Sequence, residues 1–450
     1  MKRSAWRYLW TAHDIRRKLL ITVALLAIYR LAAHVPVPGA NREAIASILQ
    51  QGGAGGTLVG LLDLLSGGTV SNFSVLAMGV YPYITAQIIL QLLVPIIPAL
   101  QKRMEEDPRE GRKWMEKWTY WLAVPMAALE AIGQINLFNQ LSQGIPVLDS
   151  FGLMPGPTLI PSLAVILSMT AGTMFAIWLG ELISEFGIRN QGLSLIIFAG
   201  IVSRIPVNLL SILADQENWW KLLLITTFVT TAVIFAIVFV QQGRRNVPVM
   251  YPGRRVGNRM SMPVKGTLPL MVNMAGMIPL IFAQSLLTFP AIIASFFVNS
   301  ATEWVRNGAT AIYTMFNGQG TYSWVYWISY FVMVVAFTFF YTNVLFTQQN
   351  YGENLKRMGA QIPGVSRGAP TQRYLNRVLS RITFPGALFL GIVAILPWLL
   401  GLIIPLGRSA DLMLVQSAGL LIVVGVVRDI FFNIEAELKL HGYDESLLVR

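Results

Sequence analysis

Residues able to carry chemistry are sparse in this chain, and they do not cluster. His13, His34 and His441 stand far apart, all outside the interiors of the long apolar stretches. There is no cysteine, which excludes disulfides, a thiolate nucleophile and thiolate metal sites. No HExxH metal helix, GxxxxGK[ST] phosphate loop or GxSG nucleophile motif occurs. The run Gly52-Gly53-Ala54-Gly55-Gly56 lacks the spacing and strand–helix setting of a dinucleotide turn. Carboxylates within the apolar stretches are too few for a paired-aspartate protease or a proton relay. The chain is therefore expected to make and break no covalent bonds and to need no cofactor. Anything it moves is driven by energy from elsewhere.

One carboxylate does lie in the middle of an apolar stretch, that of Glu130. An ionisable group at membrane depth is a functional candidate by default, because it is expensive to keep there. Thr85, Gln87 and Asn273 are polar groups on other stretches that could meet it. Two readings stay open: a working polar contact, or a carboxyl that stays neutral or snorkels to an interface. Val80, Ile84, Leu193, Ile197, Ile281 and Ile422, taken singly, read as ordinary packing.

Membrane helices are expected to carry these groups. Of 450 residues, 54% are hydrophobic and only 12% charged, against about 25% charged in soluble proteins. Ten candidate spans fall at about 19–35, 75–97, 118–138, 158–180, 193–213, 220–241, 268–296, 323–346, 382–406 and 411–434. The expected class is an all-α integral membrane protein. Residues 1–18 are basic and amphipathic, with no cleavage-site pattern, and read as a retained cytoplasmic segment.

Leu61 to Ile97 is the stretch on which the others depend. Its first half is broken by Ser66-Gly67-Gly68 and Ser71-Asn72, and Gly79 and Pro82 interrupt the apolar run that follows. Interrupted backbone at membrane depth is tolerated only when buried in protein or lining a watery cavity. This predicts a half-helix dipping in, a break, and then a full span facing an internal passage. The alternative is a surface loop before an ordinary proline-kinked span.

Charge fixes orientation. Basic clusters precede span 1 and fill the connections 2/3 (Lys102 to Lys117), 6/7 (Arg244, Arg245, Arg254, Arg255, Arg259, Lys265) and 8/9 (Lys356, Arg357, Arg367, Arg373, Arg377, Arg381). The other side holds few, so both termini are expected in the cytoplasm. Residues 242–267 and 347–380 are longer than topology requires. They serve either as topology determinants alone or as a docking surface for something large and anionic. The outer stretches 36–60, 139–157 and 299–322 read as polar, Gly-rich loops. A short 5/6 connection splits the chain into two halves of five spans, the odd number that inverts topology. The expected segments are 1–18, a first half 19–214, a second half 215–434 and a cytoplasmic tail 435–450.

Seven stretches carry a resemblance: SGGTVSNFSVLAMGVYPYI (66–84), AGTMFAIWLGELI (171–183), FGIRNQGLSLIIFAGIV (186–202), LPLMVNMAGMIPLIFA (268–283), FTFFYTNVLF (337–346), NLKRMGAQIPG (354–364) and LLIVVGVVRD (420–429). Together, in this order and over most of the chain, they resemble the SecY/Sec61-alpha family, the channel subunit of the Sec protein translocase. The resemblance implies two inverted five-helix halves around a central pore, opening sideways between spans 2 and 7.

It also assigns roles. A plug would occupy about 62–74, with Leu64, Leu65, Ser66, Gly67, Gly68, Thr69, Val70, Ser71 and Asn72 at its centre. Val80, Ile84, Leu193, Ile197, Ile281 and Ile422 look like the pore ring; Val80/Ile84 and Leu193/Ile197 are i,i+4 pairs, each on one helix face. Such a ring offers water and ions no hydrogen bonds and can gate by dewetting. Thr85, Glu130 and Asn273 resemble the polar cluster of a lateral gate. Arg244, Arg245, Arg254, Arg255, Arg259, Lys356, Arg357 and Arg367 resemble the docking surface for the SecA ATPase and the ribosome. Implied partners are SecE and SecG subunits, signal sequences, secretory polypeptides and membrane lipids, in a bacterial cytoplasmic membrane. Two departures stand out: Val365-Ser366-Arg367-Gly368 places its basic residue one position later than the family does, and Gly257-Asn258-Arg259 replaces a usual Gly-Arg-Arg. The rival from another class is a secondary solute transporter, which would need a compact polar site at the midplane.

Overall fold

A computed structural model describes residues 13–41, 73–141, 147–148, 151–152, 156–189, 191–213, 219–252, 255–256, 259–260, 264–298, 302–316, 323–349, 351–403 and 416–440. The described elements run α1 (His13–Ala32), α2 (Tyr81–Ile96), α3 (Pro98–Glu106), α4 (Pro108–Leu141), α5 (Leu159–Phe186), α6 (Gly192–Leu213) and α7 (Trp219–Gln242). Strands β1 (Arg244–Tyr251), β2 (Arg255–Val256), β3 (Arg259–Met260) and β4 (Val264–Met271) follow. The rest are α8 (Ile278–Phe297), α9 (Glu303–Phe316), α10 (Ser323–Gln348), α11 (Tyr351–Arg357), α12 (Ala369–Ile403) and α13 (Gln416–Leu440).

A helix stands at each expected span: α1, α2, α4 to α8, α10, α12 and α13. Among the described residues, four helices are long and apolar enough to cross a membrane by themselves, within α5, α7, α10–α11 and α12. The α2–α3 pair, bent by 95° at its break, makes a fifth. In α6 and α8 the apolar runs are shorter, Gly192–Ser203 and Ile278–Ala291; Pro206 and Pro290 sit within these two helices. The plug residues 64–72 lie outside the described residues.

Contacts divide the chain into two compact units. The first comprises Met1–Thr230, Leu286–Tyr326 and Pro397–Arg450. Here α4 packs on α2, α3 and α5; α5 packs on α1 and α6; and α6 meets α1 and α13. The buried face of α4 recurs every three or four residues through Thr119, Ala123, Met126, Ala127, Glu130, Ala131, Gln134, Ile135 and Phe138, the spacing of one helical stripe. Lipid tails are as apolar as leucine, so close packing through small residues holds such helices together. Ala123, Ala127 and Ala131 serve α4 in this way. At the α5–α6 contact, a Cβ on Gly180 would lie 2.7 Å from the Leu193 side chain, and Gly192 abuts the Gly180 carbonyl.

Residues 73–80 differ from the expected helix. The helix of the second span begins at Tyr81, not near 75, after a series of tight turns. Phe73 has φ +42° and Gly79 φ +53°, the left-handed region where a helix cannot continue. The backbone finds other partners: Val37 N–H donates to Phe73 O at 3.1 Å, Val75 N–H to Val35 O at 2.9 Å, and Gly79 N–H to Leu76 O at 2.7 Å. The Phe73 ring packs 5.3 Å from that of Phe138. Gly172 of α5 abuts the Val75 carbonyl, leaving no room for a side chain. Phe73, Ser74, Leu76, Ala77 and Val80 are all but inaccessible. The interruption at 73–80 is buried in protein, and the half-helix expected ahead of it falls on residues outside those described.

The second unit comprises Thr231–Ser285 and Trp327–Leu396. Here the expected 242–267 loop is an antiparallel hairpin, β1 on β4, registered from Arg244↔Met271 to Tyr251↔Val264, with β2 pairing β3 beyond it. The seventh span, expected from 268, starts at Ile278, because 268–271 belong to β4. The ninth starts at Ala369 instead of about 382. The outer stretch 299–322, expected as loop, contains helix α9, which belongs to the first unit and packs Tyr313 against that unit's own core.

Candidate functional site

The aliphatic residues assigned to a ring sit where elements begin. Val80 immediately precedes α2 and is wholly buried; Ile84 is half-buried in the first turn of α2. Leu193 and Ile197 occupy the first two turns of α6, and Ile422 lies on α13, which packs on α6. Ile197 and Ile422 are each 2% exposed. Leu193 packs against the cluster of Tyr83, Ala86, Ala123, Met126 and Ile177, which joins the start of α6 to α2, α4 and α5. Five of the six residues thus belong to the first unit.

Ile281, 6% exposed, belongs to the second unit in the first turn of α8. Its neighbour Phe282 meets Phe337 and Tyr341 of α10 edge to face, at centroid distances of 5.9 and 5.7 Å. Such aromatic pairs fix orientation as well as burying area. The α8 positions Ile281, Gln284, Ser285 and Thr288 are all buried. Gln284, Ser285 and Thr288, three, four and seven residues beyond Ile281, put polar groups on the same buried face, a pattern that was legible in the sequence.

Two of the three polar gate candidates come together. The Thr85 hydroxyl of α2 donates to the Tyr81 carbonyl at 3.0 Å and stands beside the Glu130 carboxyl of α4. Glu130 is 8% exposed, and its Oε2 has no partner among the described residues. One turn on, Gln134 is 6% exposed with its Oε1 likewise unpartnered. Asn273 lies in the second unit, in the turn between β4 and α8. Its Nδ2 donates to Gly276 O at 3.1 Å, while Oδ1 is buried without a partner among the described residues.

The two basic stretches expected as separate loops form one body. Met250 and Gln361 exchange backbone hydrogen bonds of 2.8 and 2.9 Å, tying β1 to the turn after α11. Val247, Val249 and Leu270 of the hairpin share a core with Phe346, Leu355, Ile362, Leu375 and Leu379. The alternation Val247/Val249 between exposed neighbours was the strand signal; Pro248 obscured it. Arg244 and Arg245 open β1 and are exposed; Lys356, Arg357 and Arg367 are exposed at the end of α11 and just before α12. Lys356 and Arg357 lie 3.7 Å from Glu353, surface pairs worth little. Arg255 and Arg259 sit in the β2–β3 pair, and Arg254 lies outside the described residues. Among the described residues there is no group of three metal-ligating side chains.

Comparisons agree over nearly the whole chain. The family model described as SecY matches residues 74–431. The "Protein translocase subunit SecY" of Streptomyces scabiei is 34% identical over 444 residues, covering 96% of this chain and 97% of its own. The protein of that name from Mycobacterium tuberculosis (strain ATCC 25618 / H37Rv) is 36% identical over 450 residues, with the same coverage. Among solved structures, one titled "The structure of a protein conducting channel" aligns with a TM-score of 0.62 over 99% of this chain and 100% of that one. At 17% identity, it supports the fold alone. The chain belongs to the SecY family.

Proposed function

We propose that this protein is the protein-conducting channel of a Sec-type translocase: it passes unfolded secretory polypeptides across the membrane and releases apolar segments sideways into lipid. Family membership over residues 74–431 carries this reading. It is a multi-pass membrane protein and a translocase subunit, so it acts within a complex. The solute-transporter reading has no support. In the finer proposal, SecE- and SecG-like subunits flank it in a bacterial cytoplasmic membrane, with both termini in the cytoplasm. SecA or a ribosome uses the exposed cations of the hairpin–α11 body. The channel itself catalyses no reaction.

The waist is formed by Val80, Ile84, Leu193, Ile197, Ile281 and Ile422, sealed by a plug at 64–72. The halves 19–214 and 215–434 part between α2 and α8, past Thr85, Glu130 and Asn273. Buried aliphatic side chains at the starts of α2, α6 and α8 support a dewetted constriction. The polar groups keep opening within reach of an apolar signal, which shifts the equilibrium only by binding one state better. A buried polar atom without a partner costs about 1–3 kcal/mol, and about 1.4 kcal/mol is tenfold in an equilibrium. Glu130→Leu or Asn273→Leu removes that cost from the packed arrangement. Export measured across a graded series of signal hydrophobicity should then demand more apolar signals. Unchanged thresholds at normal protein levels would sink the gate role.

A further inference from the structure

We infer that Gln134 is a further residue setting how apolar a signal must be to open the gate, acting with Glu130 as a two-rung polar ladder on α4. This rests on the gate reading above. The juxtaposition is geometric. Glu130 and Gln134 are spaced i,i+4 on the buried stripe of α4, one above the other. Both are more than nine-tenths buried, and each presents a side-chain oxygen with no partner among the described residues. The same stripe continues through Ala127, Ala131, Ile135 and Phe138, which pack on Phe73, Ala77 and Met78, the buried turns just before α2. Gln134 therefore sits on the α4 face whose neighbours lead into the span that must move.

Glutamine is costly at such a position unless its amide is bonded, and leucine would fill a similar volume without that demand. A position used only for packing has no need of an amide. Gln134 acts by making the packed arrangement less favourable than an apolar side chain would, so water or a polar group entering on opening recovers the loss. It is a specificity residue working through the α2–α4 contact.

The test uses the full chain in its translocase, with export scored over signals graded by alanine-to-leucine steps. Gln134→Leu should move the midpoint toward more apolar signals by at least one step and leave export of the most apolar signal unchanged. Gln134→Glu, which keeps a polar end of equal reach, should restore the midpoint. If Glu130→Leu shifts the midpoint and Gln134→Leu does not, the inference is wrong while the gate reading stands. Equal loss of export for every signal, with the midpoint fixed, would assign Gln134 to packing and overturn it. If neither substitution moves the midpoint, the gate reading itself falls and takes the ladder with it.

Discussion

Serine placed together at Val80, Ile197 and Ile422 should turn a sealed membrane into one that leaks small ions. These side chains are almost fully buried, on three separate elements of one compact unit. Each aliphatic group gives up about 1.5–3 kcal/mol of burial when exchanged for something polar, and the new hydroxyl binds water where none was held before. Since about 1.4 kcal/mol changes an equilibrium tenfold, hydration of the constriction should rise by far more than that. Ion flux from loaded proteoliposomes reads the result directly. Flux at the wild-type level, from protein that still folds and exports, would mean that the three residues are packing and nothing else.

A large loss of stability is expected at Gly172. Valine there would drive a side chain into the Val75 carbonyl, and backbone cannot swing aside as a side-chain tip can. Overpacking costs about 1–3 kcal/mol, sometimes more, out of a total of about 5–15 kcal/mol for a native protein. Gly172→Val should therefore lower the melting temperature of the purified protein and speed its degradation in cells. Gly308 in α9 is the control, because a Cβ there meets nothing within 4 Å. Gly308→Ala should be neutral or slightly stabilising, alanine being about 1 kcal/mol the better helix former. Equal melting of the two variants would contradict the close contact between α5 and the turns before α2.

What could be read from the sequence divides along physical lines. Spans were legible because apolar length is a local property: α5 and α7 lie within a few residues of the expected ranges. The interruption near Gly79 and Pro82 was legible for the same reason, since glycine weakens a helix and proline fits only its first turn, where Pro82 stands in α2. Where the helix resumed was not, because Phe73 adopts a left-handed φ held by its packing on Phe138 and by the hydrogen bond its carbonyl accepts from Val37. The hairpin was missed because β1 begins with two arginines and contains a proline. Its pairing partner lies 13 to 27 residues away, counted from Tyr251↔Val264 and Arg244↔Met271. The union of the two basic stretches was invisible for a deeper reason: the Met250–Gln361 bonds join residues more than a hundred positions apart. Glu130 was conspicuous as a charge among apolar residues, whereas Gln134, uncharged and one turn away, was not.

The waist is tested most directly by trapping a stalled secretory chain. The protein has no cysteine, so single cysteines at Val80, Ile197 and Ile281 each report one position. A fourth cysteine at Phe235, 73% exposed on α7, serves as the outward-facing control. The stalled chain should crosslink at the first three and not at the fourth. Crosslinks at Phe235, with none at Val80, Ile197 or Ile281, would show that the polypeptide takes another route.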